Sequence, residues 1–198
     1  MPSLTHALSL VSAVWRISRG QPDSIRHIDV SAEGFWHSFS ALLFSLPFFI
    51  VISSADWRLL QSMGSEIRFT PFFTIELVAY ALSWALFPLA MIPVMRRLGL
   101  IGNYVPFIIC YNWGNLITIF AMTVPYVLLS LGAPLGGIIS LLIVMSLFFS
   151  VWFRYALIRA TLTHSIPIAG GIILIDWGVG VLTDWGATLV EKAASGLF

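Results

Sequence analysis

Five long apolar runs, separated by short polar connections, dominate the hydrophobic pattern of this chain. They cover residues 35–54, 72–95, 104–131, 135–153 and 168–190. A helix that crosses a bilayer needs about 20 mainly apolar residues, and within lipid only helices and closed barrels satisfy their own backbone hydrogen bonds. These runs are too long and too uniformly apolar for barrel strands. The pattern therefore predicts an all-α, polytopic membrane bundle with five transmembrane helices.

The segment before the first run has a different pattern. Its apolar residues recur at the helical spacing i, i+3, i+4, i+7: Leu4, Ala7, Leu8, Val11, Val14 and Trp15. This spacing predicts an amphipathic helix, too short to span, and the nearby Arg16 and Arg19 suit a helix in the membrane interface. Packing on the cytoplasmic face of the bundle is the alternative. After it, Asp29 or Ser31 is expected to cap the first spanning helix.

These patterns divide the chain into two parts, a cytoplasmic arm at residues 1–34 and a five-helix transmembrane bundle at residues 35–198. The side of the bundle that holds the arm is rich in basic residues, namely Arg16, Arg19, Arg26, Arg96, Arg97, Arg154 and Arg159. The opposite side has only Arg58, Arg68 and Lys192. The positive-inside rule then predicts a multi-pass inner-membrane protein with its N-terminus in the cytoplasm and its C-terminus outside.

Composition narrows the function classes. Apolar residues make up 59% of the chain and charged residues 10%, which leaves almost nothing for a soluble domain. The net charge of +1 gives no support for a nucleic-acid partner. Zinc-protease and serine-hydrolase motifs are absent, and all four histidines fall in the arm or at the cytoplasmic edge. We therefore expect no catalytic residues, no metal site and no cofactor.

One short pattern occurs in both the third and the fifth run. The pattern is Ile-Ile, two further residues, then Asn or Asp followed by Trp-Gly. It ends in Asn112-Trp113-Gly114 in the third run and, 64 positions later, in Asp176-Trp177-Gly178 in the fifth. Both helices would run in the same direction, so the two segments would lie at similar depth. A mid-membrane acid costs roughly 2.5–3.5 kcal/mol on insertion scales unless it finds a partner.

The sequence offers several partners for Asp176 on the third helix, namely Asn112, Asn115 and Tyr111. These four residues form the predicted polar mid-membrane cluster. Two interpretations stay open. In one, Asp176 exchanges a proton or binds a cation; in the other, the cluster is an interhelical hydrogen bond worth about 0.6 kcal/mol.

Small residues beside tryptophan suggest where helices pack closely. The predicted packing residues are Gly114, Gly178, Gly180, Trp113 and Trp177. On this basis the glycine-rich fifth helix is expected either at the centre of the bundle or at an interface with a partner.

Charged residues at the helix ends are assigned to the membrane surface. Glu76 and Asp184 are expected near the outer interface, where Arg58 and Arg68 are available to neutralise them. Arg154 directly follows the fourth run, and its side chain is expected to extend toward lipid phosphates.

An N-terminal arm followed by five closely spaced helices resembles the Yip family of membrane proteins over roughly residues 30–190. The segment at residues 29–39, Asp-Val-Ser-Ala-Glu-Gly-Phe-Trp-His-Ser-Phe, also looks like small bacterial inner-membrane proteins. The resemblance carries no functional residue onto this chain. It implies a helical protein that acts through partners or membrane organisation rather than catalysis.

The first functional prediction is a non-enzymatic membrane scaffold or accessory subunit. Its expected partners are the lipid bilayer and other membrane proteins, with a homo-oligomer as a further option. Its basis is the small size, the short loops and the glycine-rich last helix. The alternative is a small proton- or cation-coupled transporter or channel whose polar path includes Asp176, Asn112 and Asn115. Against that alternative, five helices provide no even inverted repeat.

Overall fold

A computed structural model describes residues 3–132 and 136–194 of the chain. Within these ranges the secondary structure is helical, with no strand, which confirms the all-α prediction. The first position of the predicted fourth run, Leu135, and the last four residues of the predicted bundle lie outside the described residues.

The described residues form seven α-helices, of which one is the helix of the arm. They are α1 (Leu4–Ser18), α2 (Ala32–Ser38), α3 (Ala41–Ser62), α4 (Phe69–Arg97), α5 (Tyr104–Ser130), α6 (Ile138–Thr161) and α7 (Ile166–Ala194). Short 3-10 turns cover Pro22–His27 and Ile101–Asn103. Five segments are long and apolar enough to cross a membrane: α4, α6, α7, the α2–α3 stretch Ala32–Ser62, and α5 with its preceding turn, Ile101–Ser130.

The bundle is built around α5. This helix packs extensively against α3 on one side and α6 on the other, while α4 and α7 form a second, closely packed pair. Contacts between these two groups are sparser, through α6 with α7, α3 with α4, and α4 with α5. Because the connections are short, successive spanning helices run antiparallel. We call the end that holds α1, the start of α5 and the start of α7 the arm side.

Two apolar clusters close the arm side of the bundle. One lies beneath α1, where its buried residues pack on α5 and α6. The other, here called the arm-side cluster, joins α4, α5, α6 and α7 and consists of Phe87, Met91, Met95, Phe107, Ile108, Ile158, Leu162, Ala169, Ile172 and Ile173. Close-packed apolar side chains of this kind leave little room for water.

Helix α1 packs on the bundle through one face. Its buried residues are Ala7, Leu10, Ala13, Val14, Ile17 and Ser18. The Trp15 ring stacks on Phe153 of α6, with ring centroids 6.1 Å apart and an interplanar angle of 12°. The arm is thus attached to the bundle through apolar and aromatic contacts.

The start of α2 is capped as the sequence predicts. Ser31 Oγ accepts a hydrogen bond from the Gly34 amide at 3.1 Å, and Asp29 Oδ1 accepts one from the Ser31 amide at 3.0 Å. The Ser31 amide and hydroxyl stabilise the carboxylate, so they hold the pKa of Asp29 below its usual value. A Cβ added at Gly34 would collide with the carbonyl oxygen of Asp29, which explains the glycine in this cap.

Candidate functional site

A network of three polar side chains lies inside the bundle, where α5, α6 and α7 meet. Arg154 Nη1 is 3.1 Å from Asp176 Oδ2, in an ion pair whose side chains are only 19% and 10% exposed. The Tyr111 hydroxyl donates a hydrogen bond to Asp176 Oδ1. The Arg154 guanidinium also lies over the Tyr111 ring, 5.0 Å from its centroid. We call these three residues the charged network.

The position of Arg154 corrects the sequence-based prediction for this residue. Helix α6 continues to Thr161, so Arg154 lies seven residues, about 10 Å along the axis, inside the helix end. Its side chain turns inward to Asp176, so the prediction that it extends toward lipid phosphates is wrong. Tyr111, by contrast, is one of the partners expected for Asp176, and the structure confirms that contact.

The charged network balances its own charge. An isolated ion within a membrane bundle is expensive, whereas the Arg154–Asp176 pair is neutral as a unit. Tyr111 adds a hydrogen bond to one member and a cation–π contact to the other. Removing either charge would leave the other buried without compensation, at a cost of several kcal/mol.

A cavity of about 430 Å³ extends from the charged network toward the end of the bundle opposite the arm. All five spanning helices contribute to its walls. The lining residues are Ile52 of α3; Tyr80, Ser83, Trp84 and Phe87 of α4; Tyr111, Asn115, Thr118, Ile119 and Met122 of α5; Leu147, Ser150 and Arg154 of α6; and Asp176, Trp177, Val179, Gly180, Val181 and Asp184 of α7. The network lies at the arm-side end of this cavity, next to the arm-side cluster.

The cavity lining holds one more acidic residue than basic residues. Asp176 and Asp184 line it, and Arg154 is the one basic residue among the lining residues. Arg154 is already paired with Asp176, whereas the Asp184 carboxylate has no ion pair within the part of the chain that the structure describes. The lining therefore favours a cationic occupant over an anionic one.

Further acids stand near the outer end of the cavity. Asp56 of α3 and Glu76 of α4 lie, like Asp184 of α7, in the halves of their helices that are farther from the arm. Asp56 has no place in the sequence-based prediction, because the first predicted apolar run ends at residue 54. The sequence signal for Asp56 is an acid only two residues beyond an apolar run. Helix α3 continues through this position to Ser62, so Asp56 is part of the spanning helix.

The predicted mid-membrane cluster forms only in part. Tyr111, Asn115 and Asp176 line the same cavity, but Asn112 does not join them. Its Nδ2 donates to Ser38 Oγ of α2 at 2.8 Å, and both side chains are fully buried. Asn112 therefore joins α5 to α2 on the far side of the helix, which corrects its predicted role as a partner of Asp176.

The predicted packing residues fall into two groups. Trp113 is 1% exposed and its ring lies against Phe44 of α3. A Cβ on Gly114 would come within 3.0 Å of the Phe153 ring, so Gly114 lies in a tight contact between α5 and α6. On α7, by contrast, a Cβ on Gly178 or Gly180 would meet no atom within 4 Å, and Trp177 is 49% exposed. The α7 residues thus do not pack at the bundle centre, and the partner interface stays a prediction.

The predicted outer charges are not paired with one another. Neither Arg58 nor Arg68 forms an ion pair with Glu76 or Asp184 in the part of the chain that the structure describes. Instead, Arg58 Nη1 donates to the main-chain oxygen of Ser130 at 3.3 Å, which connects α3 to the end of α5. The acids at this end of the cavity are therefore not neutralised by these two arginines.

No group of three or more His, Cys, Asp or Glu side chains within residues 3–132 and 136–194 is arranged to hold a metal ion. What the site offers is a buried, charge-balanced network beside a cavity with acidic and aromatic walls. Such a site can bind a cation or exchange a proton.

Comparisons of the chain with protein-family models, with curated proteins and with solved structures find no match. The resemblance to the Yip family therefore stays a prediction. Any functional assignment rests on the geometry of the charged network and the cavity.

Proposed function

We propose that this chain is a small, non-enzymatic membrane transporter coupled to protons or other cations, with the cavity as its solute site. The observation that carries the proposal is the buried Arg154–Asp176–Tyr111 network at the arm-side end of a cavity lined by all five spanning helices. An ionisable residue inside a membrane bundle is by default a candidate for an ion or substrate pathway.

The charged network supports coupling of ion binding to helix movement, because a change at one of its residues alters the contacts of the other two. A proton or cation that binds Asp176 weakens the attraction to Arg154, and it also competes with the hydrogen bond from Tyr111. Arg154 is on α6 and Asp176 on α7, two helices whose other contacts are sparse. A change of charge at Asp176 therefore alters the force that holds α6 and α7 together, which links ion binding to helix movement.

The proposal includes an orientation. With the arm in the cytoplasm and the C-terminus outside, as the distribution of arginines favours, the arm-side cluster closes the cytoplasmic end. The cavity would then open toward the exterior, and α1 would lie at the cytoplasmic interface of the inner membrane. Alternating access would require the arm-side cluster to separate.

The test is ion flux into liposomes that contain the purified full-length chain. Vesicles loaded with a pH-sensitive dye, or with a Na⁺- or K⁺-sensitive dye, receive an imposed gradient of the corresponding ion. We expect flux above that of protein-free vesicles, and loss of that flux in Asp176→Asn. Asp23→Asn is the matched control, since Asp23 is exposed in the arm and forms its ion pair with Arg26, also in the arm.

Equal flux in the wild type and in Asp176→Asn would contradict the proposal, as would no flux of protons, Na⁺ or K⁺ from correctly folded protein. The fold of each variant is checked by circular dichroism and by its elution in gel filtration.

A second candidate function, the membrane scaffold or accessory subunit, is favoured by a different observation. On α7, Trp177 is 49% exposed and a Cβ added at Gly178 would meet no atom within 4 Å, and small-residue surfaces are common helix–helix interfaces in membranes. The native mass in mild detergent tests this candidate. A stoichiometric complex with other membrane proteins supports it, and a lone monomer contradicts it.

A further inference from the structure

The cavity has an aromatic wall in addition to its acidic residues. Tyr80, Trp84, Phe87, Tyr111 and Trp177 all line it. The Tyr80 and Trp84 rings are in an edge-to-face contact, with centroids 6.1 Å apart, and the Phe87 and Tyr111 rings stack at 4.1 Å. The faces of Phe87 and Tyr111 are thus turned to each other, and Arg154 also lies over the Tyr111 ring. Trp177, 49% exposed, is the ring of this wall that is most open to a ligand.

From this lining we propose that the cavity binds an organic monocation with an apolar body, of the tertiary or quaternary ammonium class. The inference rests on the transport function proposed above and names its substrate class. Aromatic rings attract such cations through their negative faces, and an alkylated ammonium gives up little hydration when it leaves water.

The charges of the lining support a single positive charge on the ligand. The Arg154 charge is balanced by Asp176, so Asp184 is left as the one uncompensated charge of the lining. A monocation neutralises it, whereas an anion would be repelled by Asp184. The Arg154 guanidinium is not free for an anion either, because it contacts both Asp176 and the Tyr111 ring.

The hydroxyl groups of the lining point to the same ligand class. The hydroxyls of Ser83, Thr118 and Ser150 donate their protons to main-chain oxygens of their own helices, at 2.7, 3.0 and 2.8 Å. A hydroxyl has one proton and two lone pairs, so these three groups present only acceptors to the cavity. Acceptors suit a cation or a ligand hydroxyl and do not suit an anion.

The size of the cavity is also appropriate. Its volume of about 430 Å³ lies within the range of roughly 300–1,000 Å³ that is usual for small-molecule sites, and such sites combine mostly apolar walls with a few placed polar groups. A small inorganic ion would leave most of the aromatic surface without contact.

The test is calorimetric titration of the purified full-length chain in detergent with three probes: choline, tetraethylammonium and tetraphenylphosphonium. The neutral isostere of choline, 3,3-dimethyl-1-butanol, is the matched control ligand. We expect saturable binding of at least one cation, and choline binding at least about tenfold tighter than its isostere.

Two variants locate the binding. Asp184→Asn is expected to weaken cation binding by about tenfold, since it removes the uncompensated charge, and Trp177→Leu by about threefold. The matched controls are Glu33→Gln, on the exposed arm, and Trp185→Leu, on α7 but outside the lining; both are expected to bind as the wild type does.

The outcomes separate this inference from the proposed transport function. If the isostere binds as well as choline, or no probe binds, the organic-cation class is overturned, even where Asp176-dependent flux of protons or Na⁺ is observed. If the cations bind through Asp184 and Trp177 but no flux occurs, the cavity is an organic-cation site and transport is the part that fails.

Discussion

The two Trp-Gly segments share sequence but not environment. On α5, Asn112 bonds to Ser38, Trp113 is 1% exposed, and Gly114 lies against Phe153. On α7, Asp176 pairs with Arg154, while Trp177 is 49% exposed. The first segment is therefore part of the packed core, and the second forms part of the wall of the cavity.

The difference shows that the position of the helix in the bundle determines what these residues do. Helix α5 is surrounded by α3, α6 and the arm, so each side of its Asn-Trp-Gly segment meets another helix. Helix α7 packs mainly on α4, which leaves its Asp-Trp-Gly segment with a cavity on one side. Matched substitutions in the two segments should therefore have unequal effects on stability and function.

The largest contrast is expected between the two tryptophans. Trp113→Ala removes a fully buried ring that contacts Phe44 and should lower the free energy of unfolding by about 3–5 kcal/mol. Trp177→Ala removes a half-exposed ring and should cost about 1 kcal/mol or less. Unfolding in mixed detergent micelles, followed by circular dichroism, measures both values. Equal losses would mean that the two segments do not differ in packing.

The second contrast concerns the charge on α7. Asp176→Asn leaves Arg154 buried without its counter-charge and should cost about 3 kcal/mol of stability. Arg154→Met combined with Asp176→Asn should recover most of that loss, because neither buried charge remains. The same micelle unfolding measures both variants.

Ion flux separates stability from function in this pair of variants. The double variant is expected to be stable and yet to show no flux, since it lacks the carboxylate. Flux at the wild-type level in a stable double variant would show that the charged network only holds α6 and α7 together.

The number of spanning segments, the capping of α2 and Tyr111 as a candidate partner of Asp176 could be predicted from the sequence, because each depends on local pattern or on the depth of a residue along its helix. The ion-pair partner of Asp176, Arg154, could not. Hydropathy ends an apolar run at its first charge, so Arg154 was assigned to the membrane surface, whereas the helical hydrogen bonds of α6 continue to Thr161. Asp56 was missed for the same reason, since α3 also continues beyond the end of its apolar run.

Asn112 shows a second property that the sequence does not predict, namely which neighbouring helix a side chain faces. Neighbouring residues of α5 lie at nearly the same depth in the membrane but point in different directions around the helix axis. Their depth therefore does not indicate which of them faces α7. Tyr111 and Asn115 line the cavity, whereas Asn112 faces α2. The direction of a side chain around the helix axis depends on the bundle arrangement, which only the structure supplies.

The third contrast compares the two glycines. Gly114→Ala would place a methyl group 3.0 Å from the Phe153 ring and should destabilise the protein by about 1–3 kcal/mol through overpacking. Gly178→Ala meets no atom within 4 Å and should leave the stability of the monomer unchanged or slightly raised. The midpoint of thermal unfolding measures both. If Gly178→Ala alters the native mass in mild detergent, the α7 surface is an interface between subunits.

The smallest effect is expected at Asn112, and it tests whether the polar residue on α5 is only structural. Asn112→Ala removes the hydrogen bond to Ser38 Oγ, and interhelical hydrogen bonds in membrane proteins contribute about 0.6 kcal/mol on average. The loss is reduced further because Asn112 Oδ1 is buried without a hydrogen-bond partner among the described residues, and the substitution also removes that penalty. Ion flux should stay at the wild-type level, since Asn112 lies outside the cavity lining. Loss of flux with unchanged stability would show instead that the two segments act together, with Asn112 and Asp176 as parts of one site.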